Sequence, residues 1–239
     1  SADKPPLLPR AVVCLSTIDW DFIWQGHQEV MSRFAASGVP VLFIENPGVR
    51  TPGLQDLGRI LRRLSNWRKG TGGFHQERPN LVVLSPLLLP FPYWRWAAKL
   101  NAWLLRRAIE TWSRAVDCET PVLWTFLPTP LSTELIEALR PPVSVYYCID
   151  DFQSSSDEAR LSAASEAELF RRADLVFTTS RELRKKALCH RGEVELFPFA
   201  VDFEKFAARR AAPGEEPRDM AAIPHPRCGY VGGVHQWLD

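Results

Sequence analysis

The stretch VSVYYCIDDFQ, residues 143–153, carries a run of β-branched, aromatic and apolar residues straight into two adjacent carboxylates, Asp150 and Asp151. Neighbouring side chains on a strand point to opposite faces, so two consecutive acids do not both reach solvent from inside a buried strand. The strand therefore ends at the pair. In open α/β sheets the carboxyl ends of the strands form the edge where ligands bind, which makes the pair a first candidate for a functional site.

Other parts of the chain supply this strand with neighbours. AVVCLS (11–16), VPVLFIE (39–45), LVVLS (81–85), PVLWTF (121–126), DLVFTTS (174–180) and VELFPF (194–199) are short apolar runs, the pattern of strands buried on both faces. Amphipathic segments at 27–37, 54–67, 94–116, 131–139, 158–172 and 180–189 lie between them and are expected helices. The alternation predicts an α/β fold, a Rossmann-like parallel sheet with helices on both faces, over residues 1–206. Residues 207–226, AARRAAPGEEPRDMAAIPHP, are polar, alanine-rich and punctuated by prolines, which is linker composition. RCGYVGGVHQWLD, 227–239, then reads as a fresh strand with a glycine turn, the expected start of a second domain.

Composition narrows the class. The 239 residues are 46% hydrophobic and 24% charged with a net charge of +1, which describes a globular chain and excludes a disordered or fibrous one. Five cysteines, Cys14, Cys118, Cys148, Cys189 and Cys228, are scattered and form no C-x-x-C pair, which argues against a disulfide framework and against a zinc site. A reducing, cytoplasmic compartment is the expectation. No apolar run approaches a transmembrane span, and SADKPPLLPR lacks the apolar core of a secretory signal, so any membrane contact is expected from the surface.

A second candidate is STIDWDFIWQGHQ, 16–28, which comes after the first strand and opens the first helix. Backbone amides at such a helix start attract anions, and Gly26 allows close approach. Gln25, Gly26 and His27 are candidate ligand contacts. The competing reading packs Trp20, Phe22 and Trp24 onto the domain and leaves His27 solvated. No G-x-G-x-x-G is present, so no dinucleotide cofactor is expected.

The succession DWDFIWQGHQEVMSRFAASGVPVLFIENP, VYYCIDDF, ELFRRADLVFTTSRELRKK, VELFPFAVDFEKF and GYVGGVHQWLD resembles the N-terminal half of a GT-B glycosyltransferase of the family 4 type. Members of that family build two Rossmann-like domains facing a cleft, the first mainly for the acceptor and the second for the nucleotide-sugar. Their corresponding strand often ends in a histidine followed by an aspartate beside the sugar; here the matching positions are Asp150 and Asp151. The resemblance implies Asp150 as the catalytic-position residue and Asp151 as an acceptor contact. A carboxylate there accepts hydrogen bonds from sugar hydroxyls or stabilises positive charge developing on the ring. The competing reading is turn chemistry, with Asp151 capping the next turn.

Two further matches concern the donor. FPFAVDF corresponds to a family segment usually reading P-N-G-V-D, with Phe199 and Ala200 in place of asparagine and glycine and with Asp202 retained. Asp202 is either a cleft residue or the cap of a short turn. Gly232 and Gly233 match the glycine turn that lets a diphosphate approach the backbone. The resemblance implies a hexosyltransferase-type enzyme that retains anomeric configuration and uses neither metal nor cofactor, the nucleotide-sugar being a co-substrate. Its acceptor is a saccharide or a lipid-linked saccharide, in bacterial cell-envelope or polysaccharide biosynthesis. The rival class is a non-catalytic Rossmann-like module that binds a saccharide or a protein. Sequence beyond Asp239 separates the two.

Two helical stretches point elsewhere. GLQDLGRILRRLSNWRKG, 53–70, is basic and amphipathic and includes Arg62 and Arg63; 92–116 places Trp94, Trp96 and Trp103 among Arg106, Arg107 and other cations. Tryptophan with arginine is the composition of the lipid headgroup zone, so an anionic membrane surface is an expected partner and the inner face of the plasma membrane the expected place. The plainer alternative leaves both basic faces in water. Near-neutral charge and the lack of a recognition motif argue against nucleic acid.

Overall fold

The computed structural model describes residues 8–47, 72–151, 161–211 and 218–230. Two compact units divide the chain, Ser1–Phe199 and Ala200–Asp239.

The first unit runs β1 (Val12–Leu15), α1 (Gly26–Ala36), β2 (Val41–Ile44), β3 (Phe74–Arg78), β4 (Leu81–Leu84), α2 (Arg95–Ala115), β5 (Val122–Thr125), α3 (Pro130–Leu139), β6 (Ser144–Cys148), α4 (Ser162–Arg172), β7 (Leu175–Thr178), α5 (Arg181–Leu188) and β8 (Glu195–Leu196). One sheet takes the strands in the order β3-β4-β2-β1-β5-β6-β7-β8. Every neighbouring pair is parallel except β3 with β4. This is the Rossmann-like parallel sheet that the alternating pattern predicts.

Strand periodicity sorts the core into two faces. Val13, Leu15, Leu42, Ile44 and Leu123 pack under α2 and α3 through Leu105, Ile109, Leu131 and Leu135. On the other face Val12, Cys14, Val41, Phe43 and Trp124 meet Met31 and Ala35 of α1. Tyr146, Cys148 and Val176 extend the core beneath α4 and α5, against Leu169, Phe170, Leu183 and Ala187. Right-handed crossovers explain the division: the chain leaves β1 one way through β2 to β4, then doubles back and leaves β5 the other way. That reversal between β1 and β5 is a topological switch point.

β3 departs from the expected elements. FHQER has one apolar residue, Phe74, and its other four positions are exposed, as befits an edge strand whose one partner among the described residues is β4. Asn80, at φ 60°, makes the tight return into β4. The expected helix at 54–67, with Arg62 and Arg63, lies outside the described residues, as do 158–160 of the expected helix that begins here at Ser162.

In the second unit α6 (Phe203–Ala211) and α7 (Arg218–Ala221) fall within or across the segment expected to be linker. α6 crosses position 206, the expected domain end, because Asp202 Oδ1 accepts the Lys205 N–H at 3.2 Å and the alanines and arginines after it are good helix formers. Gly232 and Gly233 lie outside the described residues.

Candidate functional site

Three loops leave the carboxyl edge of the sheet near its switch point, and buried polar side chains hold them. Glu45, at the end of β2, is 2% exposed. Its carboxylate accepts the Trp20 N–H at 3.0 Å and the Ser85 hydroxyl, tying the loop after β1 to the loop after β4. Gln28, fully buried, accepts the Gln25 N–H at 3.0 Å and donates to the Trp20 carbonyl at 3.2 Å. The first loop is thus folded back on the start of α1. Sequence inspection missed Glu45, whose only signal is a carboxylate at the end of an apolar strand, and missed Gln28, which stands three residues after Gln25 at the spacing of a capping box.

His27 is buried, not solvated. Its Nε2 lies 2.9 Å from Thr17 Oγ1 and its ring is 4.1 Å, centroid to centroid, from Phe126, the residue after β5. The imidazole therefore sits at the switch point itself, between the exits of β1 and β5. Burial pulls its pKa down from 6.5 to about 4, so it is neutral at neutral pH. Its Nδ1 has no hydrogen-bond partner among the described residues, and neither has Thr129 Oγ1, at the foot of α3 on the same edge. Buried polar atoms are ordinarily paired, so these two leave the switch point under-satisfied, although neither atom is open to solvent.

Gly26 leaves room for an aromatic ring. A Cβ there would stand 2.1 Å from the Phe199 ring. The close approach that glycine permits is made by Phe199, so the start of α1 is covered on that side by an aromatic ring rather than offered bare to an anion. Two of the resemblance-bearing stretches, the loop after β1 and the segment that holds Phe199, meet at this contact. Phe199 belongs to an aromatic group with Tyr147, Phe177 and Phe197, and the Tyr147 hydroxyl donates to the Phe197 carbonyl at 2.6 Å.

Asp150 and Asp151 stand at the exposed carboxyl end of β6. Asp150 Oδ1 accepts the Asp151 N–H at 2.8 Å. Asp151 pairs with Lys186 at 2.7 Å. The same ammonium reaches Glu166 Oε2 at 2.6 Å, and Glu166 is fully buried beneath β6. Glu166 Oε1 accepts the Tyr146 hydroxyl at 2.8 Å and lies 3.7 Å from Cys148 Sγ. Burial pulls Lys186 down, but its hydrogen bonds to Asp151 and Glu166 outweigh that and hold it above its ordinary value. Burial, reinforced by the Glu166 charge, pushes Cys148 up to about 12. A buried ion pair thus anchors the acidic edge.

No group of three or more metal-ligating side chains occurs among the described residues. A shallow cleft beside α3 is lined by Tyr93, Arg95, Glu134, Glu137, Glu168 and Arg172, whose charges largely pair with one another. None of the site residues expected from the sequence lines it.

The geometry defines a doubly wound α/β domain whose carboxyl edge carries a neutral buried histidine, an acidic strand end and an aromatic-covered helix start. No protein-family model matches the chain, and no curated protein matches it. Among solved structures the chain is similar to a sucrose-phosphate synthase of Thermosynechococcus elongatus, at 11% identity and a TM-score of 0.48, over 84% of this chain and 95% of that one.

Proposed function

We propose that this chain is the acceptor-side half of a GT-B glycosyltransferase of the family 4 type, which moves a sugar from a nucleotide-sugar onto a saccharide or lipid-linked acceptor. The observation that carries the proposal is that the loop after β1, ending at the exposed Gln25, and the exposed acidic end of β6 both open on the carboxyl edge of a parallel sheet, on either side of its switch point. The resemblance-bearing stretches of the first unit converge on the same edge. In this assignment Gln25 and Asp151 meet acceptor hydroxyls, the buried His27 supports the loop from beneath, and the exposed carboxylate of Asp150 faces charge developing on the transferred sugar. Gly26 acts by making room for Phe199. Asp202 and the glycines at 232 and 233 belong to the donor side, which the segment from 227 onward begins. The transfer retains configuration and needs no metal.

The test is transfer by the full-length protein, with residues beyond 239, against a panel of nucleotide-sugars, read as release of the nucleoside diphosphate. Turnover that requires those residues and falls on substitution of Asp150 supports the assignment. Absence of turnover with every donor, together with saccharide binding by residues 1–239, supports the binding module instead.

A further inference from the structure

The outward face of α2 has no apolar partner among the described residues, and its chemistry is unusual. The inner face is built of small and aliphatic residues, Ala98, Ala102, Leu105 and Ile109, packed on the sheet. An amphipathic helix would be polar on the other side. Here Trp96, Leu100, Trp103 and Leu104 are exposed there, Trp96 to 54% and Trp103 to 47%. Lys99 and Arg107 share that face, and the Arg107 guanidinium lies 4.4 Å from the Trp103 ring centroid. No acidic residue occurs between Ser85 and Glu110.

The loop that leads into the helix continues the surface. Phe91 stacks on Trp94 at 4.9 Å, and Trp94 meets Trp96 edge-on at 5.9 Å. Trp94 is 55% exposed. The loop is held in place: the Asn101 side chain, buried in α2, accepts the Leu89 N–H at 2.8 Å and donates to the Leu89 carbonyl at 3.0 Å. These aromatic rings are therefore displayed on a fixed support.

We propose that the outward face of α2, with the aromatic cluster that precedes it, docks on the headgroup region of an anionic phospholipid surface. Indole rings prefer the boundary between headgroups and acyl chains, where their apolar body and N–H are both accommodated. The cations beside them meet anionic lipid, while a face of tryptophan and leucine alone would fit a protein groove as well; the lack of any acid over this stretch is what selects lipid. No helix among the described residues is long and apolar enough to cross a membrane, and the face fits one lying in the interface plane. The inference is independent of sugar transfer.

Sedimentation of the 239-residue chain with vesicles tests it. Binding is expected to phosphatidylcholine vesicles containing phosphatidylglycerol, to be weak on phosphatidylcholine alone, and to fall with added salt. Lys99→Glu with Arg107→Glu should reduce binding by about 25-fold or more, since each basic residue near the surface is worth about fivefold. Trp96→Ala with Trp103→Ala should reduce binding and weaken, with Trp94 still present, the quenching of tryptophan emission by brominated lipid. Equal binding to both vesicle types, or variants that bind like the parent, overturns the proposal. So does a concentration-dependent dimer that Trp103→Ala dissolves, which would assign the face to a second copy of the chain.

Discussion

Lys186 Nζ lies 2.6 Å from Glu166 Oε2, and Glu166 is fully buried. Removing one partner of a buried ion pair strands the other charge in a poor solvent, whereas removing both is often tolerated. Lys186→Met should therefore lower the unfolding free energy by about 3–5 kcal/mol in urea melts. Lys186→Met with Glu166→Gln should recover most of that loss. Equal stability of the single variant and the parent would show that the pair contributes nothing.

The side chains of β6, with Lys186, set the alkaline limit. Burial raises Tyr146, and raises Tyr147 and Cys148 to about 12 from ordinary values of 10.0 and 9.0; Lys186 is raised by its carboxylate partners against the pull of burial. Groups that hold protons more tightly when folded stabilise the fold below their unfolded pKa and lose that contribution as pH rises through the folded one. Stability should accordingly fall between about pH 9 and pH 12. The denaturation midpoint measured over that window, with Cys148→Ala as the comparison, checks it.

His27 sets the acid limit with the opposite sign. Its folded pKa, about 4, is below the ordinary 6.5, so its contribution is complete above pH 6.5 and is lost as pH falls through 4. Protonation of the buried ring costs on the order of 3 kcal/mol. His27→Leu also loses the Thr17 hydrogen bond, so the informative quantity is the slope: the parent should lose more stability than the variant between about pH 7 and pH 4.5. Parallel pH profiles would place the titration elsewhere.

The strands that carry this edge are legible because their apolar runs fall into the buried parallel pattern, and the helices between them keep a helical period. The features that stay hidden depend on partners distant in sequence. Glu166 shares a helical face with Ser162, Leu169 and Phe170, so its inward position comes from spacing, but the Lys186 that neutralises it is supplied only by folding. His27 looks like an ordinary first-turn residue until Thr17 and Phe126 close over it. β3 escapes notice because an outer edge strand needs few apolar residues. Asp150 and Asp151 are correctly placed at a strand end, while the division of labour between them is set by Lys186.

Gly26 and Phe199 should behave as a coupled pair. Gly26→Ala puts a methyl group into the ring, which must swing outward, at a cost of about 1 kcal/mol. Phe199→Ala opens the space. In that background Gly26→Ala should become neutral or stabilising by up to about 1 kcal/mol, because alanine favours the helix and restricts the unfolded chain. A double-mutant cycle measured by thermal melting reads the change of sign; additive effects would mean the ring is not seated on the glycine in solution.

Asp150→Asn in the full-length protein tests the assignment of the acidic edge. The Asp151 N–H needs only one acceptor, and the asparagine carbonyl supplies it, so that hydrogen bond and the fold should survive. The change removes the negative charge at the exposed end of β6. If that charge faces an oxocarbenium-like transition state, its removal should lower turnover by on the order of 10²-fold, about 3 kcal/mol, with little change in substrate binding. Asp151→Asn should be much milder, because its pair with Lys186 is half exposed and an amide oxygen still accepts from the ammonium. Chelator should change neither, since two adjacent acids with no further ligand among the described residues make a poor cage for a divalent ion. Normal turnover in Asp150→Asn would reduce the carboxylate to its hydrogen bond with the Asp151 N–H, and activity lost to chelator and restored by manganese would make it a metal ligand.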